Sequence, residues 1–222
     1  MQPNSIKAYT KLGLHLYDPL IVNLVAPRIW GCDPDILVDH YRDHVTSNHA
    51  DIGVGTGYFL DRCGLGAANP RLALIDLQPN CLAYTARRLS RYRPQTYLRD
   101  VLRPLHEISG GPFDSICLGG IIHCLSGDLA HKSQIFDTIA ALTRAGTKIF
   151  GYTLVSDGVP DRISRRLVHP LLNGLRVIDN KNDRLSDLHR VLRARFVDCK
   201  VELIGCMALF SASVSANSSS RH

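Results

Sequence analysis

No two cysteines in this chain stand in a CxxC spacing, although seven are present, at 32, 63, 81, 117, 124, 199 and 206. The missing spacing and the odd count argue against a disulfide framework and against a structural zinc site, so no metal is expected. Three cysteines lie inside the apolar runs "SICLGG", "IIHCL" and "LIGCMALF". They read as small core residues in a reducing, cytoplasmic setting. A long uninterrupted apolar run is also missing. The start, "MQPNSIKAYTKLG", carries no continuous apolar segment, so no secretory leader is expected. The most apolar N-terminal stretch, "LGLHLYDPLIVNLVAPRIW", is broken by His15, Asp18, Asn23, Arg28 and two prolines. It is no membrane span and reads instead as a lid or a surface-docking helix pair. Long tracts of one charge sign are absent too. The chain has 26 Lys and Arg against 20 Asp and Glu, a net charge of +6, but the basic residues fall in short clusters such as "ARRLSRYR" and "RVLRARF". Apolar positions dilute them, so they read as solvated helix faces rather than a nucleic-acid surface.

What is present is a composition of 45% hydrophobic and 21% charged residues over 222 positions, enough for one large domain with its own core. After residue 45, short β-type runs alternate with helical patterns. "HADI", "RLALID", "QTYLRD", "FDSICLGG" and "TKIFGYTLV" read as strands, and "GYFLDRCGL", "PNCLAYTARRLSRY" and "DLAHKSQIFDTIAALTR" as helices between them. That alternation predicts βαβ units and a parallel sheet covered by helices. After the helical "RLSDLHRVLRARF", the runs "DCKVELIGC" and "MALFSAS" are joined only by a tight connection at Gly205. Strands joined so closely must be antiparallel. The expected fold is therefore α/β: a Rossmann-like, doubly wound seven-stranded sheet, mostly parallel, with a C-terminal antiparallel strand. Residues 1–44 form an N-terminal helical lid segment and 45–213 the main domain. An insertion at 156–183 is positioned to cover the open face, and 214–222 form a Ser-rich flexible tail.

The stretch "HADIGVGTGYFLDRC" places Gly53, Gly55 and Gly57 directly after the first strand. Ligands of open α/β sheets bind outside the carboxyl ends of the strands. A dinucleotide fingerprint would need a third glycine where Tyr58 stands, and a P-loop would need GK[ST]. Three aspartates end successive strands. Asp51 is suited to an ammonium group, Asp76 to the two hydroxyls of a ribose, and Asp100, in "YLRDVL", to an exocyclic adenine amine. Those three groups without a pyrophosphate describe S-adenosylmethionine (SAM).

On these motifs the chain resembles the class I SAM-dependent methyltransferases over about residues 45 to 213, in the small stand-alone type that acts on small molecules. "DIGVGTG", "LALID", "LRD", "FDSICLGGIIHCL" and "LTRAGTKIFGYT" are similar to successive family motifs, with Thr147 where a second glycine is frequent. The resemblance implies that SAM is held by Asp51, Gly53, Gly55, Gly57, Asp76, Leu77, Asp100, Val101, Gly119 and Trp30, with S-adenosylhomocysteine (SAH) as product. It also brings His123, after the fourth strand, to face the methyl group as base or substrate orienter, with His15 and Tyr17 lining the acceptor side. Gly119 and Gly120 leave room for the cofactor or acceptor, Tyr152 and Asn180 are weaker candidates, and His106, His131 and His169 are expected on the surface.

Several acceptors are excluded by what the chain lacks. There is no [DN]PP[YFW] motif, as exocyclic base amines require, and no Pro-Cys pair for cytosine C5 chemistry. The expected acceptor is a small organic molecule, a specialised metabolite, methylated on O, N or C. A non-methylating SAM-fold protein, such as a cyclase, an isomerase or a binding module, stays open, as does an RNA or protein methyltransferase.

Overall fold

The computed structural model describes residues 10–67, 69–105, 108–109, 111–158 and 168–216. His106, residues 159–167 of the insertion and the end of the tail lie outside the described residues. Seven strands form one sheet in the order β3-β2-β1-β4-β5-β7-β6. They are β1 (Asn48–Ile52), β2 (Arg71–Asp76), β3 (Gln95–Leu98), β4 (Ser115–Gly119), β5 (Lys148–Leu154), β6 (Val197–Ile204) and β7 (Met207–Ser213). β1 to β5 pair in parallel, and β7 pairs antiparallel with both β5 and β6. The chain winds outward to β3, then crosses back to β4, so the switch of winding direction lies between β1 and β4.

Helices cover both faces, which is why β1, β2 and β4 are almost continuously buried and read as apolar runs rather than alternating ones. Two apolar clusters result, one on each side of the sheet. β3 is mostly exposed and forms the edge. All seven cysteines are free, and Cys117, Cys124 and Cys206 are buried as expected. Thr147, which stands where a glycine is frequent, is buried and closes its own turn: its hydroxyl donates to Phe113 O (2.7 Å) and accepts from Arg144 N–H (2.9 Å). Gly205 has φ +60°, and a Cβ there would run into the carbonyl of Trp30, so the β6–β7 turn admits no side chain at position 205.

Three local expectations change. The N-terminal apolar stretch is not a helix pair broken at proline. Lys11–Tyr17 is α-helical and continues as a π-helical stretch, Asp18–Trp30, which Pro27 does not end. A separate helix, Pro34–His44, follows. The single helix expected over 128–144 is divided into Leu129–Lys132, Gln134–Thr138 and a 3-10 turn at Ile139–Leu142. At the first break the Ser133 hydroxyl donates to Ala130 O (2.7 Å), the kind of local bond that competes with the helical ladder. His169 is buried rather than on the surface, at the start of the helix His169–Gly174, whereas His131 is exposed. Among the described residues, no helix is long and apolar enough to cross a membrane.

Candidate active site

At the carboxyl ends of β1, β4 and β5 lies a cavity of about 510 Å³. Its floor is the turn after β1. Gly53, Gly55 and Gly57 all have positive φ (+74°, +51° and +69°), a region that favours glycine. A Cβ on Gly53 would stand 2.8 Å from Ile121 Cβ, and one on Gly57 would stand 2.6 Å from Thr85 Cγ2. At Gly55 nothing lies within 4 Å, so this part of the turn offers bare backbone to a ligand. Gly119 and Gly120 border the same cavity at the end of β4, where a Cβ on Gly119 would collide with the Tyr41 hydroxyl.

Two carboxylates face this floor. Asp51 is only 2% exposed, and its Oδ1 has no hydrogen-bond partner. Burial, reinforced by the nearby Asp76, pushes its carboxyl up to about 7. Asp76 is pushed up to about 6 by burial, although the backbone amides of Gln78, Gly55, Leu77 and Val54 hold it down. The Gln78 N–H donates to its Oδ1 at 2.7 Å. An orphaned buried acceptor beside an open backbone cradle is a site short of a cation, and the ammonium group of a methionine moiety supplies one.

Asp76 also borders a narrow slot of about 10 Å³, lined by Leu77, Asp100, Val101, Ile121 and Leu125. Asp100 is half-buried, and its Oδ1 accepts from Leu102 N–H (3.0 Å). The slot has room for about one water.

The roof comes from the N-terminal segment and from the described part of the insertion. Leu16, Tyr17, Leu20 and Trp30 line the cavity from one, and Val168 and Leu172 from the other. Asp18 fastens the first of these to the floor. It accepts from the Thr56 hydroxyl (2.6 Å) and pairs with Arg88 (2.5 Å), which in turn donates to Thr56 O (2.8 Å). The loop between Gly55 and Gly57 is thus tied to the roof by a closed three-residue cycle.

His123 is buried on the cavity wall. Its Nδ1 accepts from the Leu154 N–H (3.2 Å) and lies 3.3 Å from the Thr153 hydroxyl. Burial first, then the charge of Lys132 and the neighbouring His169, pushes the imidazole down to about 3. A neutral ring whose Nδ1 is an acceptor carries its proton on Nε2 and presents a donor. Tyr152 also lines the cavity, its phenol raised well above the usual range by burial.

The structure does not bring every expected residue here. His15 is exposed, stands edge-on to Tyr84 (5.1 Å) and does not border the cavity. Asn180 is a buried staple, exchanging amide hydrogen bonds with Asn173. Trp30 does border the cavity, and its carbonyl accepts from the Cys206 N–H (2.8 Å) at the start of β7. Its indole Nε1 is buried without a hydrogen-bond partner. Tyr41, Phe59, Asp18, Arg88 and Thr56 were not picked out by the motifs. Tyr41 and Phe59 stack at 5.9 Å in the cavity wall, and their sequence signal, helical periodicity, marks them only as core.

Comparison with known proteins gives a consistent picture. Residues 50–149 match the family described as "Methyltransferase domain". The demethylluteothin O-methyltransferase of Streptomyces thioluteus is 35% identical over 204 residues, covering 92% of this chain and 88% of the relative. The physcion biosynthesis cluster O-methyltransferase of Aspergillus chevalieri is 31% identical over 208 residues, covering 93% of each. Among solved structures, the N-methyltransferase NodS of Bradyrhizobium japonicum in complex with SAH shares the fold, with a TM-score of 0.65 and 14% identity over 95% of this chain and 98% of that one. With its mostly parallel seven-stranded sheet, its glycine floor and relatives that span nearly its whole length, the chain belongs to the class I SAM-dependent methyltransferases of the small-molecule type.

Proposed function

We propose that the protein transfers the methyl group of SAM to a hydroxyl oxygen of a neutral, largely apolar specialised metabolite. The observation that carries this reading is the distribution of charge around the cavity. Among the described lining residues, the only charged side chains are Asp51 and Asp76, both at the glycine floor, and no Lys or Arg takes part. Among the described lining residues an anionic acceptor would find no counter-charge. The acceptor end is built from Leu20, Trp30, Leu154, Leu172 and Met207, and one imidazole. The named relatives that methylate oxygen support the choice of atom.

In this reading Asp51 accepts hydrogen bonds from the ammonium of the cofactor, and the backbone at 53–57 runs beneath its methionine part. Asp76 takes the ribose hydroxyls, while Leu77, Asp100 and Val101 flank the adenine. Gly119 leaves clearance at the end of β4. When bound, SAM supplies an electrophilic methyl group on a sulfonium. The remaining work of the chain is alignment, since nucleophile, methyl carbon and sulfur must lie in line, and positioning of this kind contributes several kcal/mol. His123 donates from Nε2 and orients the acceptor. With its imidazole held near 3 and Nδ1 occupied, it is not a base at neutral pH. The acceptor is therefore a weakly acidic hydroxyl, that of a phenol or enol, which enters neutral and releases its proton to water as the new oxygen–methyl bond forms. Tyr17, Tyr152 and Trp30 shape the acceptor end.

The test is incubation with methyl-labelled SAM and a panel of phenols, enols, amines and aliphatic alcohols, including demethylluteothin. Labelled aryl or enol ethers are the expected products; label on nitrogen or carbon, or on aliphatic alcohols alone, would overturn the reading. His123→Phe should lower kcat/KM for the acceptor about 10- to 100-fold, while the Kd of SAH stays within twofold. Unchanged turnover would remove His123 from the reaction. Asp18→Asn should release SAH about tenfold faster, because the tie between roof and floor loses its charge-assisted bonds. A stopped-flow release rate equal to that of the wild type would show that the cycle does no holding.

A further inference from the structure

The side chain of Lys132 is fully buried and plays no part in the reaction as described so far. It and Asp183 are both 0% exposed, with Nζ 2.8 and 2.6 Å from the two carboxylate oxygens. A buried pair of this kind contributes little net stability compared with well-packed apolar residues, so its retention calls for another explanation. Its neighbours supply one. Lys132 Nζ also donates to the carbonyl of Asp179, whose N–H donates to His123 O (2.7 Å). Asp183 O in turn accepts from the Ser156 N–H (2.8 Å) and hydroxyl (3.1 Å), just beyond the end of β5. Two residues before Ser156, the Leu154 N–H occupies His123 Nδ1 (3.2 Å), and between the two arms Asn180 Nδ2 donates to Leu154 O (3.4 Å).

His123 is therefore gripped twice, at its own carbonyl and at its ring nitrogen, by two arms that meet at one ammonium group. We infer that Lys132, through its ion pair with Asp183, is the positioning residue that fixes His123 in one orientation and one tautomer at the acceptor end of the cavity. The inference deepens the reading of His123 as the acceptor-orienting donor and rests on it for its functional consequence. The same segment carries Val177 and Ile178 into the cavity wall, so loss of the grip would also widen the acceptor end. The other ionisable groups beside His123 are His169, Cys124 and, through its backbone, Asp179. None of them bonds to its ring in the contacts described above.

The test compares the wild type with the paired variant Lys132→Met and Asp183→Leu, which leaves no unpaired buried charge. SAH binding and the thermal transition establish that the variant is folded. Nitrogen-15 spectra of the histidine rings in the SAH-bound proteins should show a single Nε2–H tautomer for His123 in the wild type and a mixture of tautomers in the variant. Acceptor kcat/KM should fall at least tenfold with SAH affinity within twofold, and adding His123→Phe should cause little further loss. An unchanged His123 tautomer in the folded variant would overturn the inference. So would a fully multiplicative loss on adding His123→Phe. If the tautomers mix while turnover by both the paired variant and His123→Phe stays at the wild-type level, the positioning stands and the reading of His123 as an orienting donor falls.

Discussion

Asp51→Asn should weaken SAH binding by about 10- to 100-fold at pH 8 and remove most of its dependence on pH between about 6.5 and 8. A charge-assisted bond to a buried carboxylate is worth about 1.5–3 kcal/mol, which sets this range. The pH dependence follows from the state of the ligand-free site. Burial pushes the Asp51 carboxyl up to about 7, so near pH 5.5 it is almost wholly protonated and cannot serve an ammonium group. Binding must then expel the proton, and wild-type affinity falls by about tenfold for each pH unit below the raised pKa. Asparagine has no proton to lose, so its curve keeps only the fall near and below pH 6 that the raised Asp76 carboxyl contributes. The same logic fixes the sign for stability. A carboxyl raised in the folded state contributes stability that is full below its unfolded value, near 4, and is lost as pH rises through about 7. The ligand-free Asn variant should therefore match or exceed the wild type in Tm at pH 8, though it binds worse. A variant that loses both binding and Tm at pH 8 would mean that Asp51 serves the fold and not the ligand.

Lys132→Met alone is the second large effect, expected to destabilise the protein by about 3–5 kcal/mol because it leaves the Asp183 carboxylate buried without its partner. In a chain of this size that lowers Tm by about 10 °C or more. The deficit should shrink at pH 5, because burial already pushes Asp183 up to about 6, and without Lys132 it is neutralised more readily still. Adding Asp183→Leu should restore most of the loss. A pH-independent deficit, or no recovery in the pair, would place the cause in lost packing around the lysine stem.

These two residues differ in how visible they are in the sequence. Asp51, Asp76 and Asp100 announce themselves because each stands at or near a strand end: Asp76 closes β2, which coincides with the run "RLALID" residue for residue, Asp51 is the last residue but one of β1, and Asp100 lies two residues beyond β3. β1 and β4 are legible for the same reason: helices on both faces leave them no polar alternation. Lys132 sits in the polar stretch "AHKSQ", and its partner lies 51 residues further along the chain, so nothing local marks it as buried. Asp18 and Arg88 are 70 residues apart and are hidden in the same way. His169, three residues after an arginine pair, is buried at the start of a helix whose Asn173 amide donates to both the His169 carbonyl and Asn180 Oδ1. His15 misled in the opposite direction. Its apolar surroundings suggest a pocket, but on the helix it falls on the outer side, one and two residues from the lining positions Leu16 and Tyr17. Local periodicity finds strands and their ends; long-range charge pairs and helix rotation need the packed structure.

The central claim is that the glycine floor and its orphaned carboxylate bind the amino-acid end of the cofactor. Calorimetric titration of the wild-type protein with SAH at pH 8.0 and pH 5.5 tests it most directly. The expected result is tight binding at pH 8.0, an affinity at least tenfold weaker at pH 5.5, and release of about one to two protons per SAH bound at the lower pH, from Asp51 first and Asp76 second. Equal affinity at the two pH values with no proton released, or no binding at pH 8.0, would contradict the assignment of Asp51.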